Sequence, residues 1–451
     1  MKFATCNPGL QCVWPCVKLR GKGDFLGIRL VSQIPNKGQQ AKMADAISDA
    51  ALSLPSHDPY RRVTDILQRL SPGRMRIAFL LGAGCPLSIR ENGAALIPDI
   101  AGLTQLVKAS LLADGNTEAV TTGLWERVEG REIQTPTIED LLSHARTLLS
   151  LCGKPGIDGF SKAQLKAFDE GACATVRSAV SKPLPLEGTP YHTLASWIQS
   201  IYREHPVEIF TTNYDELMEQ ALENRGVPYF DGFVGAASAF LDLDSMVEDD
   251  LPARWARLWK MHGSINWWLT KTDQVRRSRD KIDGEQLLIY PSHLKYDQSR
   301  QMPYLAMLDR LRVFLRAHQS VVVTCGYSFV DEHINAYLAQ GLAGNPNASC
   351  LALIYGDLAS VPDAVKLARR HANLTVMAAD GGVIGTVERA WCCDHKDNNP
   401  AYEIAVTRNA LPGRSAAPDG QCKLLLGDFA AFGALLAAQL SNREAEPGPS
   451  E

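Results

Sequence analysis

The chain has 451 residues, long enough for two or three structural units around a sizeable core. Its 46 basic and 50 acidic side chains leave a formal net charge of -4, which gives no phosphate-tracking surface and excludes direct nucleic-acid binding as the leading reading. No apolar run reaches the length of a membrane span, and Pro8, Gly9 and Pro15 interrupt the start where a secretory signal needs an apolar stretch, so no membrane partner and a cytoplasmic location are expected.

Residues 1-42 are rich in Gly, Lys, Gln and Pro without sustained periodicity and read as an irregular arm or a start-site artefact, with Met43 as an alternative start. A helical pattern through Ile47, Leu52, Ile66 and Leu70 follows. It leads into Arg76-Ile-Ala-Phe-Leu-Leu-Gly82, an apolar run ended by glycine, the form of a buried parallel strand. Residues 103-112 keep helical spacing, and Thr137-Ile-Glu-Asp140 opens a further helix with a capping-box pattern. The stretch 136-186, closed by Lys182-Pro-Leu-Pro185, reads as a helical insertion.

Strand-like runs return at Val207-Thr212, Leu287-Tyr290, Ser320-Cys325 and Cys350-Tyr355, separated mostly by helical stretches. That alternation predicts an α/β fold: a Rossmann-like, doubly wound parallel sheet whose ligands sit beyond the carboxyl ends of its strands. Residues 43-380 are assigned to this domain, 381-440 to a C-terminal extension with an amphipathic helix around Phe429 to Leu440, and 441-451 to a disordered tail.

The 11 cysteines are scattered and contain no CxxC pair. Reduced thiols, with Cys325 as a core filler in a Val-rich strand, fit better than a disulfide framework or a four-thiolate zinc site. Cys6, Cys12 and Cys16 with one outside ligand are the only metal set worth considering, at looser spacing than zinc knuckles use.

Four segments at predicted strand ends carry candidate chemistry. Leu80-Leu-Gly-Ala-Gly84 passes from strand to glycine turn, where missing side chains let backbone N–H groups approach a pyrophosphate at a helix N-terminus; the third glycine of a full GxGxxG is absent, and a plain βα turn explains the pair as well. Phe210-Thr-Thr-Asn-Tyr-Asp215 delivers Asn213 and Asp215 into the crevice, or caps the helix that follows. Trp259-Lys-Met-His-Gly-Ser264 offers His262, an imidazole suited to accept a proton at neutral pH, although a lone histidine is usually structural. In Val321-Val-Val-Thr-Cys-Gly-Tyr-Ser-Phe329, Gly326 permits close approach, and Ser328 and Asp331 can bond ribose or phosphate groups or cap the next helix. Trp255, Trp259, Trp267 and Trp268 read as packing for a subdomain or an oligomer interface rather than as base-stacking platforms.

Taken in order, Gly82-Ala-Gly84, Ile97-Pro-Asp99, Tyr191-His-Thr-Leu-Ala195, Thr212-Asn-Tyr-Asp215, His262-Gly-Ser264 and Gly326-Tyr-Ser-Phe329 resemble the signature blocks of the sirtuin family over about residues 76-380. The resemblance implies NAD bound as substrate, with Gly82, Ala83, Gly84, Asp99, Thr212, Gly326, Ser328 and Asp331 at the nucleotide and Asn213, His262 and Asp215 in the catalytic positions. Asn213 would then orient ribose hydroxyls or water, and His262 would serve as base. Two features depart from the deacylases of that family. The two CxxC pairs of their zinc ribbon are missing, so no zinc is expected, and Ile100 stands where Phe-Arg should follow Pro98-Asp99.

Those departures, with Ile138-Glu-Asp-Leu-Leu142 and Gly326-Tyr-Ser-Phe-Val-Asp-Glu-His-Ile-Asn335, resemble the bacterial sirtuin-like proteins of anti-phage defence. This implies an NAD glycohydrolase that releases nicotinamide and ADP-ribose and depletes NAD, as a homo-oligomer with a HerA-type ATPase as partner. A protein deacylase or ADP-ribosyltransferase, and a non-catalytic NAD or ADP-ribose sensor acting as a scaffold, remain the alternatives.

Overall fold

In a computed structural model of the chain, the structure describes residues 57-71, 73, 75-130, 136-200, 203-280, 282-288, 303-393, 400-407 and 422-444. Cys6, Cys12, Cys16 and the arm at 1-42 lie outside them. Eight strands of the central sheet are β1 (Arg76–Leu81), β2 (Glu208–Thr211), β3 (Ala256–Lys260), β4 (Ser320–Cys325), β5 (Ser349–Leu353), β6 (Leu374–Met377), β7 (Gly381–Ile384) and β8 (Val387–Ala390). A ninth, Tyr229–Phe230, pairs with the outer side of β3.

The order across the sheet is β8-β7-β6-β5-β4-β1-β2-β3 followed by Tyr229–Phe230. The first six strands are mutually parallel, and their spatial order 3-2-1-4-5-6 is that of a doubly wound dinucleotide-binding sheet. The expected α/β, Rossmann-like fold is therefore present. Register places Leu81 opposite both Thr211 and Cys325, Thr211 opposite Lys260, and Cys325 opposite Leu353, so the carboxyl ends lie level. The winding reverses between β1 and β4, where such sheets leave a crevice.

Continuous apolar runs make these strands because both faces are covered. Ile77, Phe79 and Leu81 enter one core cluster with Val321 and Val323, whereas Ala78, Leu80 and Val322 enter the other. Helices on the first face include α1 (Pro59–Leu70), α2 (Ile100–Ala113), α3 (Glu118–Glu129), α4 (Ile138–Leu151), α5 (Lys162–Val180) and α6 (Pro190–Gln199). Thr137 and Asp140 form the expected capping box at the start of α4. The helical block is wider than residues 136-186, because α2 and α3 pack with α4 and α5 and share their buried leucines and valines.

The crossovers between later strands are α7 (Leu217–Asn224), α8 (Tyr304–Arg316), α9 (Glu332–Gly344) and α10 (Pro362–Ala368). A separate antiparallel sheet is built from Phe233–Val234 and Ala239–Leu241, which precede β3, and from Gly263–Thr270, Val275–Arg277 and Gly284–Leu288, which lie between β3 and α8. The strand-like run at Leu287 thus belongs to this small sheet and not to the parallel one, and Ile289 and Tyr290 lie outside the described residues. Trp259 and Trp267 are buried where the small sheet meets the second face, and Trp268 is buried under the Arg177 guanidinium, which gives these tryptophans a packing role.

The chain after residue 380 differs from a simple extension. β7 and β8 continue the central sheet as an antiparallel edge, and α11 (Phe429–Glu444) lies against α6. Phe432, Leu435 and Leu436 are fully buried, the Phe432 ring sits 6.1 Å from that of Phe79, and Trp197 donates to Gln439 Oε1 at 3.0 Å. Residues 441-444 continue α11, and 445-451 lie outside the described residues. A disulfide joins Cys393 and Cys422, an exception to the expectation of reduced thiols; the pairing crosses 29 residues of sequence and is not deducible from spacing.

Candidate functional site

The level carboxyl ends of β1, β2, β3 and β4 bring four turns together. Gly82 and Gly84 follow β1, Thr212-Asn-Tyr-Asp215 follows β2, Met261-His262 follows β3, and Gly326 through Asp331 follows β4. Hydrogen bonds tie them across the sheet. Asn213 Nδ2 donates to Gly82 O at 3.1 Å, Thr212 N to Leu81 O at 3.2 Å, Met261 N to Thr211 O at 2.9 Å and Gly84 N to Gly326 O at 2.9 Å.

The glycines are required by each other. A Cβ on Gly82 would lie 2.4 Å from Gly326 O, one on Gly84 would lie 2.8 Å from Gly326 Cα, and one on Gly326 would lie 2.5 Å from Cys85 N. Gly326 also has φ of +62°, a left-handed conformation that disfavours side chains. The helix that follows Gly84 has only four residues, Gly84–Leu87, so the expected helix-terminus dipole for a pyrophosphate is small, and Gly84 N–H is already engaged. Ala83 is exposed at this turn. Replacing Gly82 with Ala is expected to lower stability by roughly 1–3 kcal/mol or more, since backbone rather than a flexible side chain must move. Thermal unfolding of the variant checks this, and an unchanged midpoint would contradict the interlock.

His262 Nε2 lies 3.0 Å from Asp331 Oδ2. Carboxylate oxygens accept, so this contact places the imidazole proton on Nε2 and leaves the Nδ1 lone pair as the basic site. Gly263, with φ of +86°, turns the chain sharply after His262. Asp331 is fixed from below as the N-cap of α9, its Oδ1 accepting from His333 N at 2.9 Å and Ile334 N at 3.1 Å. Both of its carboxylate oxygens are thus engaged by protein. Asp331, expected at the nucleotide, thus meets His262 through its second carboxylate oxygen.

The loop before Asp331 is held in an uncommon conformation. Phe329 is buried with φ of +58°, and Asn335 clamps it by donating to Phe329 O at 2.6 Å while accepting from Tyr327 Oη at 2.9 Å. Ser328 and Val330 on this loop are exposed.

Asn213 is buried, and its bond to Gly82 O fixes the plane of its amide. Burial beside Asp215, Cys85 and Glu219 pushes the Tyr191 hydroxyl well above its usual range, with the Asn213 side chain pulling the other way. Asp215 is buried as well; its Oδ1 accepts from Leu217 N at 3.0 Å at the start of α7. Burial raises the Asp215 carboxyl, and the Lys260 charge opposes that rise. Asp99 is exposed, its Oδ1 accepting from Gly102 N at 2.8 Å as the N-cap of α2, and no described contact joins it to the other candidates. Cys85 and Cys325 are buried, and burial pushes both thiols up, so they behave as core groups and not as nucleophiles.

Sequence reasoning passed over Lys260. Its side chain is only 2% exposed, and its ammonium reaches Glu219 Oε1 at 2.8 Å, Tyr214 O at 3.5 Å and, at closer range, Asp215 O. It therefore braces the turn that carries Asn213. Burial pushes the Glu219 carboxyl up to about 7, with Lys260 drawing it partly back. The only hint in the sequence is a lysine inside the apolar strand Ala256–Lys260, two residues before His262. Among the described residues no group of three or more His, Cys, Asp or Glu side chains is placed to hold a metal ion, and no helix is long and apolar enough to cross a membrane.

A search of curated proteins returns no match. Among solved structures, the chain is similar to a sirtuin described for substrate affinity at 12% identity, covering 65% of this chain and 86% of that one with a TM-score of 0.30. The figures are the same for a Sir2 mutant with a peptide and NAD, and a Sir2 enzyme described for mechanism and regulation matches over 64% and 84% at 12% identity with a TM-score of 0.31. These superpositions are loose, and strand order and register define the fold on their own. Residues 207–376 match the family model of the SIR2-like domain, so the segment from β2 to β6, holding Asn213, Asp215, His262, Gly326 and Asp331, is similar in sequence to that family.

Proposed function

We propose that the chain binds NAD across the carboxyl ends of β1, β2 and β4 and hydrolyses its nicotinamide–ribose bond. The observation that carries this reading is the His262–Asp331 pair, set beside Asn213 at the reversal point of a doubly wound sheet within a SIR2-like segment.

The chemistry asks little of a metal or a strong nucleophile. The C1′–N bond breaks with its electron pair going to the pyridinium nitrogen, so nicotinamide departs neutral and the ribose passes through an oxocarbenium-like state. Water attacks C1′, its proton passes to His262 Nδ1, and the products are nicotinamide and ADP-ribose. Asp331 then stabilises the imidazolium through Nε2–H. Asn213, with its amide plane fixed, orients a ribose hydroxyl or the water. Asp215 and Lys260 hold the turn on which Asn213 sits.

Purified protein given NAD is expected to release nicotinamide and ADP-ribose in equal amounts, read by liquid chromatography. Formation of O-acetyl-ADP-ribose from an acetylated peptide, or a labelled protein, would turn the reading to group transfer. The blocks that resemble anti-phage sirtuin-like proteins support a finer proposal: NAD depletion in bacterial defence by a homo-oligomer that works with a HerA-type ATPase. Co-purification with such an ATPase, and NAD loss in infected cells that disappears in a His262→Ala strain, are the expected outcomes.

A further inference from the structure

The hydroxyl of Tyr191 is a buried polar group that the proposed chemistry leaves unused. Tyr191 is the second residue of α6 and 1% exposed, and among the described residues no donor or acceptor meets its Oη with hydrogen-bond geometry. A phenol oxygen enclosed without a partner loses its water for nothing in return, so its presence at the site calls for a role. Around it lie Asp215, Cys85, Glu219 and the side chain of Asn213. Burial pushes the hydroxyl well above its usual range, which keeps it neutral at physiological pH and able both to donate and to accept.

The ring that carries this hydroxyl is itself held in place. The Phe429 ring of α11 stands edge-on to it at 5.1 Å, and α11 approaches the start of α6 so closely that a Cβ on Gly433 would lie 2.8 Å from Pro190 Cβ. Asn213 gives its backbone N–H to Thr211 Oγ1 at 3.0 Å and one amide N–H to Gly82 O at 3.1 Å. An amide nitrogen carries two N–H groups, so one is left, and the phenol oxygen beside it is a suitable acceptor. With both N–H groups taken by the protein, Oδ1 is the end of the amide that remains for a ribose hydroxyl or water.

We propose that Tyr191 is a positioning residue for Asn213: Gly82 O and Tyr191 Oη together hold the amide nitrogen, so that Oδ1 alone serves the ligand. The bond to Tyr191 reaches full alignment as Oδ1 takes up its load, since hydrogen bonds in active sites commonly tighten in the reacting complex. The kinetic part of the test rests on the NAD chemistry proposed above, and the spectroscopic part does not.

Tyr191→Phe keeps the ring and its contact with Phe429 and removes only the oxygen. In full-length protein labelled with ¹⁵N-asparagine, the Asn213 side-chain amide signal, assigned by its disappearance in Asn213→Ala, is expected to shift in Tyr191→Phe. Because the ring stays, such a shift reports the hydroxyl. The kcat of nicotinamide release is expected to fall roughly 3–10-fold, the equivalent of one neutral hydrogen bond, with KM for NAD unchanged and the unfolding midpoint at or above that of the wild type. An unshifted Asn213 signal, a wild-type kcat, a change in KM alone, or a loss of rate that merely follows a lowered midpoint would each overturn the proposal. If the wild type releases no nicotinamide, the NAD reading fails, and the Asn213 signal still decides the place of Tyr191.

Discussion

Replacing His262 with Ala is expected to slow nicotinamide release by about 10²–10⁴-fold, the range lost when a positioned general base is removed. NAD affinity should change little, because the imidazole acts on the attacking water and not on the nucleotide. The His262 side chain is only 12% exposed, so its truncation also removes buried contacts, and the unfolding midpoint measured beside the rate separates that loss from lost chemistry. Asp331→Asn is the sharper companion. Asparagine caps a helix about as well as aspartate, so α9 should persist while the acceptor that orients the imidazole becomes an amide. Nicotinamide release about tenfold or more below the wild type, at unchanged stability, is the outcome expected for a residue that stabilises an imidazolium. Wild-type rates for both variants would remove the pair from the reaction.

The second large effect concerns Lys260. Lys260→Met leaves Glu219 and the carbonyls of Tyr214 and Asp215 without their buried donor, and removing one partner of such a pair lowers stability by roughly 3–5 kcal/mol. A fall in the denaturation midpoint of that size, together with loss of nicotinamide release as the Asn213 turn loosens, is expected. Glu219→Gln should behave in the opposite manner with pH. Burial raises the Glu219 carboxyl to about 7 in the folded state, above its ordinary value of 4.5. The resulting stability is fully present below about 4.5 and is lost as pH rises through about 7. Glutamine stays neutral throughout and still offers an oxygen to Lys260. The midpoint of Glu219→Gln should therefore rise relative to the wild type between about pH 5 and pH 8; a flat or falling difference would contradict the buried-pair reading.

The parallel sheet was legible because buried parallel strands must be apolar on both faces, and Ile77 to Leu81 and Val321 to Cys325 carry that pattern up to their glycine ends. The turns that carry Asn213, His262 and Asp331 were legible for the same reason, since strand ends mark the crevice. Their partnerships were not. Asp331 lies 69 residues from His262; its cap reading holds through one oxygen, while the other meets an imidazole that the sequence does not pair with it. Lys260 looks like an ordinary surface cation until Glu219, 41 residues earlier, is folded against it. The small antiparallel sheet escaped because four of its five strands have five residues or fewer and local pattern does not reveal partners. α11 looked peripheral since nothing in its own sequence says that Phe432 meets Phe79.

The place of β1 has a consequence for dissection of the chain. Among the described residues it is the first strand in sequence, but it lies in the middle of the sheet, bonded to β2 on one side and β4 on the other, and it precedes the SIR2-like segment at 207–376. A fragment cut to that segment would lack its central strand and the Gly82 carbonyl that holds Asn213. It would expose two strand edges that are buried in the intact protein, and such edges favour intermolecular pairing. The unit of homology is smaller than the unit of folding, and expression of the segment alone should give aggregate.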